Sequence, residues 1–422
     1  MSLGDLGIPL YVFSGVLASA LLVALACGIK KFVDRSKKKK KAKAGKMAKP
    51  VPEKTFTRPV RSQTTSVATT SVAKSVPEVR TPLSTEEDEI RLRPLKAMLA
   101  LCQTPYDDWH VQWASRAGTY VPSAELCKVG MKKENRKKCR SELIHFLICA
   151  SSSFNSNRMC LDKTRVVLLG DARRFMDANW MDEDRSLICA SAPLGRGVPD
   201  KEDTRAEFYS MLITVGVANI VMACQMDEIA SRNDKHFADL IYFPYHILGQ
   251  VYKLKDGSFY HVLCTPTGKS QVGLEKHHLD ITFYDSHGKE TKHHKVTHFY
   301  LNSWLKNALC TDIHSICDVL CELVDQKHVT FIHCSDGQGR AGSFALMLMV
   351  LRDALIGEPV DPINTAIQLR KCRYKSIASP TQFTFALYCV MMTLMRYILK
   401  PPMHVFHYMS EFSILLMFVF TF

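Results

Sequence analysis

The sequence predicts an α/β domain that follows an N-terminal transmembrane helix, and three observations support this fold class. The chain has 422 residues, 47% of them hydrophobic and 23% charged, which suits one globular domain of about 250–300 residues with appendages. A β-branched apolar run, Val329 to Ile332, leads through a glycine-bearing turn into a helical run that ends near Ile356. The stretch from Ile8 to Ile29 contains no charged residue.

The uncharged run from Ile8 to Ile29 is long enough to cross a hydrocarbon core of roughly 30 Å as a helix. The basic cluster after it predicts a single-pass membrane protein with a lumenal or extracellular N-terminus and a cytosolic remainder. The fifteen cysteines form an odd number without a CxxC pair, which favours a reducing compartment.

The composition of residues 30–82 predicts a linker that is first basic and then disordered and rich in Ser, Thr and Pro. From Lys30 to Arg61 there are fourteen Lys or Arg residues against only Asp34 and Glu53, so this segment holds most of the net charge of +14. It is predicted to bind anionic membrane lipid, and the simpler alternative is a solvated flank of the membrane span. The remaining chain is close to neutral, so no nucleic acid partner is predicted.

The turn after the apolar run carries the chemistry of the chain. Cys334 and Arg340 are separated by five residues, among them Gly337 and Gly339. The backbone N–H groups of such a turn and the start of the next helix attract an anion, and the same field is expected to lower the pKa of the thiol from roughly 8.5. Arg340 offers a planar fork for two oxygens of a phosphate. A thiolate, an anion cradle and a bidentate cation are the parts of cysteine-dependent phosphate-ester chemistry.

The residues from His333 to Gly342, HCSDGQGRAG, resemble the signature His-Cys-Ser-x-Gly-x-Gly-Arg-[Ser/Thr]-Gly of the classical protein tyrosine phosphatases, except at Ala341. Weaker similarities occur in the family's order from about Glu125 to Tyr397. The resemblance implies a strongly twisted mixed β-sheet flanked by helices on both faces. It also implies a phosphatase-like domain over residues 85–400 that closes with a helix from Gln382 to Leu399.

Two departures from the family pattern affect turnover. The family's Trp-Pro-Asp aspartate protonates the leaving group, but this chain has Trp304-Leu305-Lys306 at that place. The glutamine that positions the hydrolytic water is replaced by Ala378, while Gln382 remains. Asp312, the next carboxylate, is expected to cap the following helix. The resemblance therefore implies impaired or absent turnover.

Asp336 supports two opposite interpretations. Its charge would oppose a phosphate at about 4 Å by roughly 4 kcal/mol at an effective dielectric constant of 20. The myotubularin lipid phosphatases, however, carry Cys-Ser-Asp-Gly in a working cradle, where the loop aspartate is a candidate acid. The predicted catalytic residues are Cys334, Arg340 and Asp336, and the predicted substrate-binding residues are His333, Ser335, Gly337, Gln338, Gly339, Lys306, Trp304 and Gln382.

Three hypotheses follow from this pattern. The favoured one is a domain that binds phosphotyrosyl proteins with little or no turnover. The second is an active phosphatase on phosphotyrosine or phosphoinositide that uses Asp336 as its acid, and the third is a membrane scaffold with a vestigial pocket. No cofactor and no metal are predicted, because His277-His278 and His293-His294 are interpreted as surface histidines. The hydrophobic tail, residues 401–422, has no assigned role.

Overall fold

The computed structural model describes residues 85–120, 124–130, 132–139, 160–168, 174–198, 200–230, 237–245, 249–267 and 272–399. All of them lie within one compact unit, residues 83–400. The predicted transmembrane helix (8–29), the linker (30–82) and the tail (401–422) lie outside the described residues. Among the described helices, none combines the length and apolarity that a membrane span requires.

An eight-stranded sheet forms the centre of the described domain. Its strands are β1 (Ala178–Trp180), β2 (Leu187–Ser191), β3 (Val217–Met222), β4 (Gly249–Lys253), β5 (Phe259–Pro266), β6 (Glu275–Tyr284), β7 (Glu290–Tyr300) and β8 (Val329–Cys334). They lie in the order β1-β2-β8-β3-β7-β6-β5-β4. Strands β2, β8, β3 and β7 are parallel, and the outer pairs are antiparallel, so the sheet is mixed.

The helices are α1 (Thr85–Cys102), α2 (Tyr106–Gln112), α3 (Lys133–Arg136), α4 (Arg205–Val215), α5 (Phe237–Leu240), α6 (Ile313–Leu323), α7 (Gly339–Ile356), α8 (Pro362–Cys372) and α9 (Pro380–Leu399). Shorter helical turns occur at Trp113–Ala117, Ala124–Cys127 and Met226–Glu228. The Asp312 carboxylate accepts a hydrogen bond from the Ser315 backbone N–H at 3.2 Å, so Asp312 caps α6 as predicted.

Helices α4 and α7 pack on opposite faces of the sheet. Phe331 of β8 lies against Phe208 of α4, with ring centroids 5.3 Å apart. The next residue, Ile332, pairs with Cys189 of β2, whose sulfur lies 3.6 Å from the Ala341 carbonyl oxygen of α7. Successive residues of a strand face opposite sides, so the two helices cover opposite faces. The predicted mixed sheet with helices on both faces is confirmed.

The position of β8 explains where the site forms. It lies between two parallel neighbours, β2 and β3, and it is buried on both faces, as an almost continuous apolar run requires. The carboxyl ends of these three strands meet at one edge of the sheet. The turn from β8 into α7 begins at that edge.

Candidate active site

Cys334 is the last residue of β8, and its side chain is buried. The Gly337 backbone N–H donates to its sulfur at 3.2 Å. The Cys334 and Ser335 carbonyl oxygens both accept from the Ala192 backbone N–H, each at 3.1 Å. The start of the loop is therefore held by hydrogen bonds to the chain that follows β2, and the Gly337 amide points back at the sulfur.

Gly337 is required by the shape of this loop. Its φ angle is +72°, in the left-handed region. A Cβ atom at this position would lie 2.2 Å from the backbone carbon and oxygen of Ala190, a contact that only backbone movement could relieve. The predicted turn glycine thus lets the loop approach β2 closely.

Arg340, at the start of α7, is held by two segments from elsewhere in the chain. Its guanidinium forms a bidentate ion pair with Glu228, with Nη1 2.6 Å from Oε1, and Nη1 also donates to the Trp304 carbonyl oxygen at 2.8 Å. A guanidinium has five N–H donors, and two of them, Nε–H and one Nη2–H on another edge, have no hydrogen-bond partner among the described residues. That edge can bind two oxygens of one anion. The predicted bidentate guanidinium is therefore present, but its Nη1–Nη2 edge is already paired with Glu228.

Glu228 was not predicted as a site residue. It ends a short helical turn after β3, where its Oε1 also accepts from the Gln225 backbone N–H at 3.1 Å as part of a capping box. An acidic residue in the helical turn that follows a core strand was the available signal. Nothing local identified its partner, because Arg340 lies 112 residues further along the chain.

Asp336 turns its carboxylate into the loop. Its Oδ1 accepts from the Gln338 backbone N–H at 3.1 Å and from the Cys334 thiol at 3.3 Å. Burial, and next the negative charge of Asp336, raises the pKa of Cys334 to about 11, although Arg340 opposes the shift. The predicted lowering of the thiol pKa is therefore wrong for this state, because a buried sulfur beside a carboxylate disfavours the thiolate more than the loop dipoles favour it.

Arg373, which was also not predicted as a site residue, supports the loop through hydrogen bonds to its carbonyl oxygens. Its Nε donates to the Gly337 carbonyl oxygen at 2.7 Å and its Nη2 to the Asp336 carbonyl oxygen at 3.1 Å. The Asp177 carboxylate pairs with the same guanidinium at 3.1 Å, and Asn179 accepts from it at 2.8 Å. Arg373 itself is buried, so the carbonyl oxygens of Asp336 and Gly337 point toward the protein interior, away from the Cys334 sulfur that the Gly337 amide faces.

Two predicted substrate-binding residues are not available to a ligand. His333 is fully buried beneath the loop, and its Nε2 lies 2.7 Å from the Tyr242 hydroxyl. The Trp304 ring is fully buried against Phe385, and only its carbonyl oxygen takes part in the site, through Arg340. Both predictions are corrected: these residues position the cradle, because aromatic rings next to a core strand are buried in packing.

The remaining predicted residues lie around the cradle or at the surface. The Gln382 side chain accepts from the Ala378 backbone N–H at 2.9 Å and lies against Gly339, where a Cβ would be 2.8 Å from its oxygen. The Gln338 carbonyl oxygen accepts from the Gly342 N–H of α7 at 2.9 Å. Lys306 is exposed in the loop after β7. The structure thus gathers Cys334, Ser335, Asp336, Gly337, Gln338, Gly339, Arg340 and Gln382 at one loop.

The histidine pairs were interpreted as surface residues, and for His277 this is wrong. It is 8% exposed and faces the sheet core beside His298. His278 and His293 are exposed, and His294 is half-buried with its Nε2 2.7 Å from the Val217 carbonyl oxygen. Among the described residues, no three His, Cys, Asp or Glu side chains converge to hold a metal ion.

Comparisons with known proteins agree with this geometry. The model of a family described as protein-tyrosine phosphatase matches residues 153–392. Tyrosine phosphatase H2 of Microplitis demolitor bracovirus is 25% identical over 265 residues, which cover 60% of this chain and 74% of that protein. Receptor-type tyrosine-protein phosphatase N2 of Mus musculus is 28% identical over 199 residues, which cover 44% of this chain and 18% of that protein.

A solved structure shows the same fold. The crystal structure of the Trypanosoma brucei protein tyrosine phosphatase TbPTP1 superposes with a TM-score of 0.52. The match covers 68% of this chain and 92% of that one, at 16% sequence identity.

Proposed function

Because the chain belongs to the protein tyrosine phosphatase family, we propose that it binds phosphotyrosyl proteins at the Cys334–Arg340 cradle with little or no turnover. Three features support the binding part of this proposal. The Gly337 amide donates to the sulfur, α7 begins at Gly339 at the end of the same loop, and one edge of the Arg340 guanidinium has no hydrogen-bond partner among the described residues. Together they form a site for a phosphate group.

The contact between Asp336 and the Cys334 thiol carries the proposal of weak turnover. The nucleophile of this chemistry is the thiolate. A thiol that donates to a carboxylate at 3.3 Å, with its pKa raised to about 11, is almost entirely protonated at neutral pH. The site is thus able to hold an anion more readily than to attack it.

Two exposed positions support the same conclusion. Lys306 stands where the family has its proton donor, and a lysine ammonium is a poor acid at neutral pH. Ala378 has no side chain to orient a water. Its backbone N–H instead donates to the side chain of Gln382.

Binding is tested by calorimetry of the full-length protein with a phosphotyrosyl peptide and its unphosphorylated counterpart. We expect phosphate-dependent binding that Arg340→Met abolishes, because the open guanidinium edge is lost. Cys334→Ser is expected to keep it, since the amides and Arg340 remain. Equal binding of both peptides by the wild type would refute the proposal and favour a scaffold with a vestigial pocket.

Turnover is tested with an aryl phosphate and with phosphoinositides, and Cys334→Ser serves as the blank. Lys306→Asp alone is expected to raise turnover only partly, because the second step still lacks a positioned water. Lys306→Asp combined with Ala378→Gln is expected to raise it further, within the 10²–10⁴-fold range of general acid catalysis. Full family-like activity from the single substitution would show that the second step was not limiting.

The alternative is an active phosphatase in which Asp336 supplies the proton. The position of its carboxylate beside the nucleophile favours this possibility, since a phosphate on the sulfur would lie within its reach. Asp336→Asn separates the two. It is expected to abolish turnover if Asp336 is the acid, and to raise phosphotyrosyl affinity if Asp336 only repels the ligand.

The membrane tether remains a proposal from composition. We infer that residues 8–29 anchor the domain on the cytosolic side and that the segment from Lys30 to Arg61 contacts anionic lipid. Flotation of the full chain with vesicles of neutral or anionic lipid tests this. Replacement of the segment's lysines by glutamine is expected to remove the dependence on anionic lipid but not membrane association.

A further inference from the structure

A groove of about 1110 Å³ lies along one edge of the sheet. The run from Gln250 to Asp256, which contains most of β4 and the turn after it, lines the groove together with residues around the start of α4. The two stretches meet where the Arg205 guanidinium lies 4.9 Å from the centre of the Tyr252 ring. In the sheet that the described residues form, β4 is the last strand, so its outer side is not paired with another strand. None of the described residues that line the groove belongs to the phosphate cradle.

The backbone of β4 directs hydrogen-bonding groups out of the sheet on this side. The Leu254 backbone N–H donates to the Ser258 carbonyl oxygen at 2.8 Å, so the backbone groups of Leu254 face β5. The direction of these groups alternates along an antiparallel strand, and those of Tyr252 therefore also face β5. The N–H and C=O groups of Val251 and Lys253 point the opposite way, and both residues are exposed. An extended segment beside β4 can pair with these four groups.

Exposed positive charge predominates around the groove. Two ion pairs within it neutralise their own charges: Arg205 with Asp203 at 2.7 Å, and Lys138 with Glu207 at 3.1 Å. The Glu202 backbone N–H donates to the Lys137 carbonyl oxygen at 3.0 Å, which places α3 beside the groove. The exposed cations of the groove and of α3 with its flanks are Arg196, Lys253, Lys255, Lys132, Lys133, Arg136 and Lys137. The exposed anions there are Glu134, Glu202 and Asp256. This surface therefore suits a negatively charged ligand.

We propose that the groove binds an extended, carboxylate-rich peptide segment of a partner protein, which adds to β4 as a further strand. In strand addition, main-chain hydrogen bonds give affinity and side chains give selectivity. Here the outward groups of Val251 and Lys253 supply the first, and the exposed cations supply the second. The groove is larger than the roughly 300–1,000 Å³ of a small-molecule pocket, and the five residues of β4 extend over about 17 Å, so a chain segment suits it better than a compact ligand. This binding site is separate from the proposed function of the cradle.

Binding is measured by fluorescence anisotropy of labelled peptides with the full-length protein. The probe alternates glutamate and valine. One control alternates lysine and valine, and the other repeats the probe with N-methylated backbone amides. We expect both controls to bind at least about 10-fold more weakly than the probe, because the first has the wrong charge and the second lacks backbone donors. Arg340→Met should bind the probe as the wild type does, since the peptide lies outside the phosphate cradle.

Matched substitutions separate the hydrogen bonds from the charge. Val251→Pro removes one outward N–H at an edge strand, where proline is tolerated, and should weaken binding of the probe about 3- to 10-fold. Val251→Thr keeps that N–H and should bind the probe unchanged. Lys253→Glu combined with Lys255→Glu should weaken binding by a similar factor, and about 0.5 M salt should reduce the difference from the wild type. Lys292→Glu, at an exposed lysine of β7 outside the groove, is the control for charge and should have no effect.

Other results would overturn the proposal. Equal binding of the N-methylated probe would mean that charge alone holds the peptide and that no strand is added. Failure of the probe to bind, together with association to anionic vesicles that the double lysine variant weakens, would identify lipid as the occupant. Failure of the probe to bind, together with a dimer in sedimentation that Val251→Pro dissociates, would identify a second copy of the chain. If Val251→Pro does not fold, the N-methylated probe decides, because it tests the same hydrogen bonds on the wild-type protein.

Discussion

At the scale of single residues, Asp336 changes the character of the cradle. One oxygen of its carboxylate accepts hydrogen bonds from the Gln338 backbone N–H and from the Cys334 thiol. Without Asp336, that backbone N–H would be available to a bound anion. The loop thus carries an internal acceptor where it would otherwise offer donors. An incoming phosphate has to replace that acceptor or tolerate its charge.

Removal of this carboxylate is expected to activate the thiol. Asp336→Ala should lower the pKa of Cys334 from about 11, because the second-largest cause of its rise is absent and Arg340 still favours the thiolate. If the pKa falls by one, the thiolate population at neutral pH, and with it the alkylation rate, should rise about tenfold. Alkylation rates against pH measure it, with Asp184→Ala as an exposed control. An unchanged pH profile would leave burial as the sole cause.

Glu228 sets the direction of Arg340. Both side chains of this pair are largely buried, and loss of one partner leaves an uncompensated charge, so Glu228→Ala should cost about 3–5 kcal/mol of unfolding free energy. It should also reduce phosphopeptide binding, because the guanidinium is free to turn. Glu207→Ala, which breaks the largely buried pair with Lys138 at 3.1 Å, is the matched control for stability. Binding that survives equally in both variants would argue against an orienting function.

At the scale of elements, the loop between β8 and α7 is shaped by the segment after α8. Arg373 lies in that segment and donates to two loop carbonyls while Asp177, before β1, neutralises it. Three separate segments therefore meet at one buried guanidinium. The loop conformation depends on their docking as much as on its own glycines.

A double-mutant cycle measures this docking. Arg373→Met and Asp177→Leu should each destabilise the protein by about 3–5 kcal/mol, and the double variant by less than their sum, with a coupling of about 0.5–3 kcal/mol. Denaturant unfolding gives these values. Arg373→Met should also alter Cys334 alkylation, whereas Arg352→Met, an arginine of α7 without a loop contact among the described residues, should not. Strict additivity would mean that the pair acts independently.

The sequence predicted the local elements of the site well. An apolar run, turn and helix were expected from His328 to Ile356, and β8 and α7 occupy Val329–Cys334 and Gly339–Ile356. The closing helix was expected from Gln382 and begins at Pro380. These features could be predicted because they depend on hydrophobic periodicity and on turn residues that are close together in the sequence.

What could not be predicted depends on contacts between distant segments. Glu228 and Asp177 reach their arginines across 112 and 196 residues. The direction of the Cys334 pKa shift was wrong for a related reason. A motif reveals loop amides and a helix terminus, but the burial of the sulfur and the inward turn of Asp336 follow only from the assembled fold.

At the scale of the whole molecule, buried thiols couple stability to pH. Burial raises the pKa of Cys334 and of Cys317 from 9.0 to about 11. The unfolded chain would release these protons first. Their contribution is therefore fully present below about pH 9 and is lost as the pH rises through about 11.

Denaturant unfolding under reducing conditions should show this loss. We expect each of these two thiols to account for about 2–3 kcal/mol between about pH 9 and 11. Cys317→Ala should reduce the loss of unfolding free energy between pH 9 and 11 by about the 2–3 kcal/mol assigned to one thiol. A decline of the same steepness in that variant would assign the effect to the other buried thiols and to the buried tyrosines, whose pKa values burial also raises.

Exposure divides the site into two parts that differ in their tolerance of substitution. Cys334 and Arg340 are built into the interior, whereas Lys306 and Ala378 stand at the rim. Rim positions tolerate drift at little cost to folding, and interior ones do not. Substitutions at exposed positions can therefore remove turnover while the buried cradle and the fold are kept. The presence of the cysteine and the arginine alone therefore does not establish turnover, and substitutions at the rim are the ones expected to change turnover without unfolding the domain.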